Sequence, residues 1–149
     1  MKKAQLSFLC VLLLSACSSD DRLSAIPDDP ESVALGKGLY QQHCASCHGE
    51  NLEGQPNWRK RGADGKLPAP PHDDSGHTWH HGDKMLFEIT KNGMVSPYAP
   101  DGYLTDMGAW KDILTDKEIW SVLAFIKSRW SDESQRIQAE FDRKARENE

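Results

Sequence analysis

The widest apolar face along the chain lies near its carboxyl end. Thr115 is followed three residues later by Glu118, which is the capping-box signature of a helix start. Hydrophobic residues then recur at helical spacing on a broad face: Ile119, Trp120, Val122, Leu123, Phe125, Ile126 and Trp130. This pattern predicts the strongest helix of the chain, from Thr115 to about Trp130.

A second helix is predicted much earlier. Asp29 is a suitable N-cap and Pro30 suits the first helical position, with the helix running to about Gln42. Two glycines, Gly36 and Gly38, lie inside it. Each costs about 1 kcal/mol of helix stability relative to alanine. Because a helical glycine permits close contact, we expect another element to pack against this helix.

The remaining patterns are also helical. Asp83 is expected to cap a short helix that ends at Asn92-Gly93, and residues 131–149 predict a second, highly charged helix. The few apolar residues of this charged helix lie four apart on one stripe: Ile137, Phe141 and Ala145. A solvated helix explains that segment, and docking onto the core or a partner is the alternative. With no strand pattern and no repeat, the predicted fold class is all-α.

The segment of residues 49–82 lacks periodicity and is rich in Gly, Pro, Asn and Asp. A structureless stretch of this length is unusual in a compact domain unless it wraps a bound group. The expected domain, residues 30–130, is also small enough to bury only a marginal core. Both observations favour a large apolar cofactor.

The amino-terminal residues have the features of an export signal. Two lysines precede the apolar run of residues 6–14, which is too short to span a bilayer. The tetrapeptide ending at Cys17 resembles a bacterial lipobox, so residues 1–16 are predicted to be a lipoprotein signal peptide and Cys17 the lipidated residue. An ordinary signal peptide is the alternative. Residues 17–29 are small, polar and acidic, which predicts a flexible tether.

The charge balance argues against a nucleic-acid partner. The chain carries 18 basic and 23 acidic residues, a formal net charge of −5, and cleavage of the signal would remove two lysines. Nucleic-acid binding needs a cationic footprint, which this composition does not supply. The acidic surface also gives no attraction to anionic lipid, so attachment to a membrane would rest on the acyl chains at Cys17.

The most specific motif is Cys44-Ala45-Ser46-Cys47-His48. In this spacing the two thiols form thioethers with the vinyl groups of one haem, and the histidine ligates its iron. A disulfide would leave His48 unexplained. A zinc site would need further ligands, yet the other cysteines, Cys10 and Cys17, are assigned to the signal and the lipid. The motif therefore predicts one covalent haem c.

From about Ser32 to Trp130 the chain resembles the class I bacterial c-type cytochromes. In that family, a glycine and an aromatic residue precede the first haem cysteine by eight and four positions, where Gly36 and Tyr40 stand. The last helix of the family presents an apolar residue and an aromatic, matched by Val122 and Phe125. The resemblance implies a cytochrome c fold, in which the N- and C-terminal helices cross beside the haem.

The resemblance also implies a methionine as the second axial ligand, in a loop shortly before the last helix. Met107 stands there, followed by Trp110 as a haem-pocket aromatic. Gly108 replaces the usual proline, which implies a less rigid loop and a weaker Fe–S bond. Met94 is the rival ligand, but it lies earlier and lacks the following aromatic. Met107 as a core-filling residue is the remaining alternative.

Two further features of the sequence bear on the predicted haem site. Pro70 or Pro71 matches the family's proline segment, whose carbonyl accepts a hydrogen bond from the proximal histidine. Nearby, four histidines fall within ten residues: His72, His77, His80 and His81. They are candidates for iron ligation, for a copper or zinc site, for propionate hydrogen bonds, or for a solvated loop.

Together these features predict an electron carrier rather than an enzyme. Iron with two protein ligands has no open position for a substrate, and no acid–base or nucleophile constellation accompanies it. The expected protein is a monomer held by lipid on the periplasmic side of a bacterial membrane, exchanging electrons with redox proteins. A haem protein with a displaceable sixth ligand, acting as a sensor or oxidoreductase subunit, and copper handling by the histidine cluster are the alternatives.

Overall fold

A computed structural model describes residues 24–147, so the predicted signal peptide and Cys17 lie outside the described residues. The described chain contains five α-helices: α1 Pro30–His43, α2 Ala45–His48, α3 Asp83–Asn92, α4 Asp116–Lys127 and α5 Asp132–Glu147. A 3₁₀ turn, Thr78–His80, precedes α3. Within these residues there is no strand, which confirms the all-α prediction. None of the described helices combines the length and apolar composition needed to cross a membrane.

Two helix starts form as their sequences predict. The Asp29 side chain accepts a hydrogen bond from the Glu31 backbone at 3.1 Å, capping α1. At α4, the Glu118 carboxylate accepts from the Thr115 backbone at 2.7 Å, while the Thr115 hydroxyl accepts from the Glu118 backbone at 3.3 Å. This reciprocal pair satisfies backbone donors that the helix itself cannot.

The centre of the fold is the crossing of α1 with α4. A Cβ atom on Gly36 would lie 1.8 Å from the Ser121 carbonyl oxygen, so the two backbones meet where only glycine fits. The Ser32 and Ser121 hydroxyls are 3.2 Å apart at the same crossing. One turn further on, the rings of Tyr40 and Phe125 lie 5.4 Å apart. The glycine-mediated contact implied by the resemblance is therefore present.

The start of α3 differs from the sequence prediction. Gly82, not Asp83, occupies the N-cap position, and it has no side chain to accept a hydrogen bond. The Asp83 backbone N–H instead donates to the Asp142 carboxylate at 3.0 Å. A residue of α5 therefore caps α3.

The buried side of α5 also differs from the prediction. Phe141 of the predicted apolar stripe is 42% exposed, whereas the buried residues of this helix are polar: Ser134, Gln138 and Asp142. Gln138 donates to the His81 carbonyl at 3.2 Å and to Asp83 at 2.8 Å. Because α5 packs against backbone carbonyls and a carboxylate, polar side chains make the contact. Of the alternatives for this segment, the structure has docking of α5 onto the core.

The packed domain begins before the predicted boundary at Pro30. Ala25, which the sequence places in the tether, is only 3% exposed and belongs to the hydrophobic core. The Asp29 N–H donates to the Ile26 carbonyl at 3.3 Å, closing a turn just before α1. Ala25 is therefore packed into the core, while the neighbouring Ile26 is 50% exposed.

Candidate haem-binding site

The Cys-x-x-Cys-His motif forms one helical turn directly after α1. The N–H groups of Cys47 and His48 both donate to the Cys44 carbonyl, at 3.1 and 2.9 Å. Residues three and four positions apart share one face of a helix, so the turn presents both thiols and the imidazole together. Both sulfurs are free thiols, with Cys44 partly buried and Cys47 exposed.

The first thiol of the motif is shielded from water. Burial, reinforced by the neighbouring Cys47, raises the pKa of the Cys44 thiol to about 11.

His48 has one ring nitrogen fixed by the backbone. Its Nδ1 lies 2.8 Å from the Pro70 carbonyl oxygen, where it donates a hydrogen bond as the neutral imidazole. Burial lowers the pKa of His48, although the bond to Pro70 opposes the shift. A neutral ring with Nδ1 protonated leaves Nε2 as the nitrogen that can bind a metal.

The two candidate prolines have different positions. Pro70 supplies the carbonyl that meets His48, while Pro71 is buried between two glycines. A Cβ on Gly54 would lie 2.4 Å from the Pro71 nitrogen, and one on Gly76 would lie 2.1 Å from its carbonyl oxygen. Pro71 thus holds the segment in place while Pro70 orients the histidine.

Tyr40 connects the helix crossing to the motif. It is fully buried, and its hydroxyl donates to the Gly49 carbonyl at 2.8 Å, just after His48. Burial, with smaller contributions from Cys44 and nearby carboxylates, raises the pKa of Tyr40. The neutral phenol therefore ties α1 to the far end of the haem-binding turn.

The sequence did not indicate how closely His72 is associated with His48. Their rings stack with centroids 4.1 Å apart and planes 23° from parallel. The His72 Nδ1 lies 2.8 Å from the Thr78 hydroxyl, and its carbonyl accepts from the Trp130 indole at 2.7 Å. Burial, with the neighbouring His48 and His77, lowers the pKa of His72 well below its usual value. Its place two residues after Pro70 is the only sequence signal that could have suggested this contact.

The other three histidines of the cluster make aromatic contacts of their own. His77 stacks on Trp58 with centroids 5.2 Å apart and planes 5° from parallel, and His81 meets the edge of His77. His80 is exposed and contacts Trp79. Across residues 24–147, no group of three or more His, Cys, Asp or Glu side chains is arranged to hold a metal ion. The structure therefore offers no support for a copper or zinc site here.

Met107 and Trp110 lie on a loop that is fixed to α3. The Trp110 and Lys111 N–H groups donate to carbonyls at the end of α3, including that of Lys91 at 3.1 and 3.0 Å. The Trp110 ring meets His43, the last residue of α1, at 5.3 Å. Met107 is partly buried, and its N–H donates to the Thr105 hydroxyl at 3.0 Å. Trp110 thus brings one end of this loop against the residue that precedes Cys44.

The donor set fits a covalently attached haem. Two thiols and an oriented, neutral imidazole share one helical turn, as thioether formation and axial ligation require. Cys44, Cys47 and His48 would hold the group, with Pro70 and Tyr40 supporting the turn. Haem supplies a single iron that changes between the ferric and ferrous states.

Comparison with known proteins gives an independent result. A sequence model described as "Cytochrome c" matches residues 33–130. The chain is 30% identical over 98 residues to the "Cbb3-type cytochrome c oxidase subunit CcoP" of Azospirillum sp. (strain B510), covering 66% of this chain and 29% of that protein. It is 38% identical over 61 residues to "Cytochrome c-551" of Bacillus subtilis (strain 168), covering 35% of this chain and 54% of that protein. No solved structure gives a significant match.

Proposed function

The chain belongs to the cytochrome c family, and from this premise we propose that it carries single electrons between extracytoplasmic redox proteins. The observation that carries the proposal is the orientation of His48 by the Pro70 carbonyl on the same turn as both thiols. This arrangement holds Nε2 ready for iron.

The chain's residues have distinct roles in this proposal. Cys44 and Cys47 would bind the haem covalently, and His48 and Met107 would ligate its iron. The Met107 thioether is a soft ligand, which favours the ferrous state and raises the reduction potential. With both ligands supplied by side chains, the iron would have no position open to a substrate, so the function proposed is that of a carrier rather than an enzyme.

The axial ligands can be tested by absorption spectroscopy of the ferric protein. Wild type should show the weak far-red band of methionine-ligated ferric haem, and Met107→Ala should lose it. Met94→Ala is the matched control, because Met94 is also a partly buried loop methionine. Retention of the band in Met107→Ala, with its loss in Met94→Ala, would assign the ligand to Met94 instead.

One observation favours a second function with a displaceable sixth ligand. Apart from the adjacent residues of the chain, no atom lies within 4 Å of the position that a Gly108 Cβ would occupy, so nothing packs against that side of the residue after Met107. A loop free at this point could release the thioether and expose iron. Ready carbon monoxide binding by the ferrous wild type would support this function and argue against simple electron transfer.

The cellular position is also part of the proposal. Lipid at Cys17 would hold the monomer on the periplasmic side of a bacterial membrane, close to membrane-bound redox partners. The oxidase subunit among the similar proteins makes a respiratory complex one suitable class of partner. Mass spectrometry of the mature protein would detect the acyl chains, and Cys17→Ser should release the protein from membranes.

A further inference from the structure

Three consecutive cations stand out on the surface of this acidic protein. Arg59, Lys60 and Arg61 are all exposed, and none forms an ion pair with another residue of the described range 24–147. The chain as a whole has a formal net charge of −5. These residues, the basic loop, therefore form a local positive region that the overall charge does not predict.

The cations of the basic loop are held in place. The Arg59 guanidinium lies 3.9 Å above the Trp58 ring, and the Lys60 N–H closes a turn to the Asn57 carbonyl at 2.7 Å. Arg61 donates to the Gly65 carbonyl at 2.6 Å and lies 5.4 Å from the Tyr103 ring. Because the two arginine side chains are already held by these contacts, binding a partner through them would cost less conformational entropy.

The basic loop lies between the two segments that carry the predicted iron ligands. On one side, Trp58 stacks on His77, which belongs to the segment that places His72 against His48. On the other side, Lys66 forms an ion pair with Asp106, the residue before Met107. A partner bound at the basic loop would therefore contact the protein where its histidine side and methionine side meet.

The surface around the basic loop combines charge with an apolar side chain. Leu104 is 52% exposed, and its Cδ1 lies 3.3 Å from the position that a Gly65 Cβ would occupy. Asp106 pairs with the Lys66 side chain, whereas Asp64 accepts from the Lys66 backbone at 3.1 Å and keeps its charge, so it reduces the positive charge of the three cations without cancelling it. A small apolar contact beside a net positive loop suits a transient interface with an anionic surface.

We propose that Arg59, Lys60 and Arg61 form the docking surface for an acidic redox protein. This inference rests on the proposed electron transfer. It adds the face through which electrons pass and the charge of the partner. A protein partner is favoured over anionic lipid because the exposed Leu104 and the ligand-bearing segments form part of the same surface. The complementary charges steer the partner to this face, although the two molecules repel elsewhere.

The proposal is tested by whether the oxidation rate rises or falls with ionic strength. In stopped-flow oxidation of the ferrous holoprotein by anionic hexacyanoferrate(III), the net negative charge predicts a rate that rises with ionic strength. Docking at the basic loop predicts that the rate falls with ionic strength. The triple variant R59Q/K60Q/R61Q should slow the reaction by about tenfold at low salt and reverse the sign of the dependence.

The matched control removes the same charges from α5. R136Q/R143Q/K144Q replaces two arginines and one lysine that pair with exposed glutamates. It should leave the sign of the salt dependence unchanged. A wild-type rate that rises with salt, or equal effects of the two triple variants, would overturn the proposal.

A binding measurement separates this inference from electron transfer itself. Titration of the holoprotein with poly-L-glutamate should shift the NMR amide signals of residues 57–66 and 103–106, with affinity lost in R59Q/K60Q/R61Q. Binding to phosphatidylglycerol vesicles through the same cations, without polyglutamate binding, would overturn the assignment of a protein partner. Polyglutamate binding by a haem protein that cannot be reversibly reduced would contradict the proposed function and leave the docking surface standing.

Discussion

The Asp142 carboxylate accepts a hydrogen bond from the Asp83 backbone N–H at 3.0 Å, across 59 positions of sequence. The first helical N–H groups need acceptors from outside their own helix, and Gly82 offers none at the N-cap of α3. Asp142 therefore performs from α5 the function that a local capping side chain usually performs. The C-terminal helix is thus a structural part of the domain.

Replacing Asp142 with alanine should destabilise the domain by about 1 kcal/mol, the usual effect of losing a helix cap. The variant leaves the Asp83 N–H without its acceptor and also removes the partner of Arg146. Urea unfolding of the holoprotein, followed by circular dichroism, measures the change.

Glu140→Ala is the control for this prediction, because Glu140 is an exposed carboxylate on the same helix that pairs with Lys144. It should have little effect on the unfolding midpoint. Equal destabilisation by the two variants would mean that loss of α5 helicity, not loss of the cap, is responsible.

Lys127→Met should destabilise the domain by about 3 kcal/mol or more, because it leaves a carboxylate without its cation. The Lys127 Nζ lies 2.6 and 2.9 Å from the two carboxylate oxygens of Asp83, and both side chains are largely buried. The midpoint of urea unfolding should fall accordingly.

The comparison variant is Lys91→Met, which breaks the more exposed ion pair with Asp116. Solvent screens this pair, so its loss should cost about 1 kcal/mol or less. Similar costs for the two variants would show that burial does not distinguish the two pairs.

Gly36→Ala should severely destabilise the crossing of α1 and α4. The added methyl group would lie 1.8 Å from the Ser121 carbonyl oxygen, which is backbone and cannot rotate away. Overpacking of this kind costs about 1–3 kcal/mol when the structure can adjust, and more when it cannot. Thermal unfolding and the yield of haem-loaded protein would both report the loss.

Gly38→Ala provides the opposite control within the same helix. Apart from the adjacent residues and the backbone of α1 itself, no atom lies within 4 Å of the position of its Cβ, so alanine should stabilise α1 by up to about 1 kcal/mol. Gly36→Ala and Gly38→Ala should therefore change the stability of the domain in opposite directions. Stabilisation by both would show that the helices can separate at Gly36 without cost.

Asp74→Asn should lower stability at neutral pH but not in strong acid. Burial tends to raise the pKa of Asp74, but hydrogen bonds from Ser134 and Ser131 outweigh it and lower the pKa overall. A carboxylate with a depressed pKa stabilises the folded state above its ordinary pKa, and this stability is lost as the pH falls through the depressed value. Denaturant unfolding at a series of acidic pH values should show the two proteins converging.

The Ser131→Ala background tests the cause of this pH dependence. The Ser131 hydroxyl is one of the donors to Asp74, at 3.2 Å, so its removal should reduce the effect of Asp74→Asn. A difference between wild type and Asp74→Asn that stays constant down to strong acid would exclude ionisation of Asp74 as its origin.

The local features of this protein follow from residues that are close together in the chain. Helix caps at Asp29 and Thr115 depend on neighbouring residues, and the Cys44-to-His48 turn needs only helical spacing to place its three donors on one face. The close helix contact at Gly36 was also predictable, because glycine destabilises a helix interior and the family resemblance gave it a packing role. These features rest on interactions within a few residues, or on spacing that the family shares.

Contacts between distant residues depend on the tertiary structure. It selected Pro70 over Pro71 as the acceptor for His48, because that choice depends on how residues 49–82 fold back, and no periodicity describes them. It also placed Gln138 and Asp142 inward and left Phe141 exposed, since α5 packs against polar groups of the His81–Asp83 turn. A hydrophobic pattern indicates the buried side of a helix only when the surface it meets is apolar, and here that surface is polar.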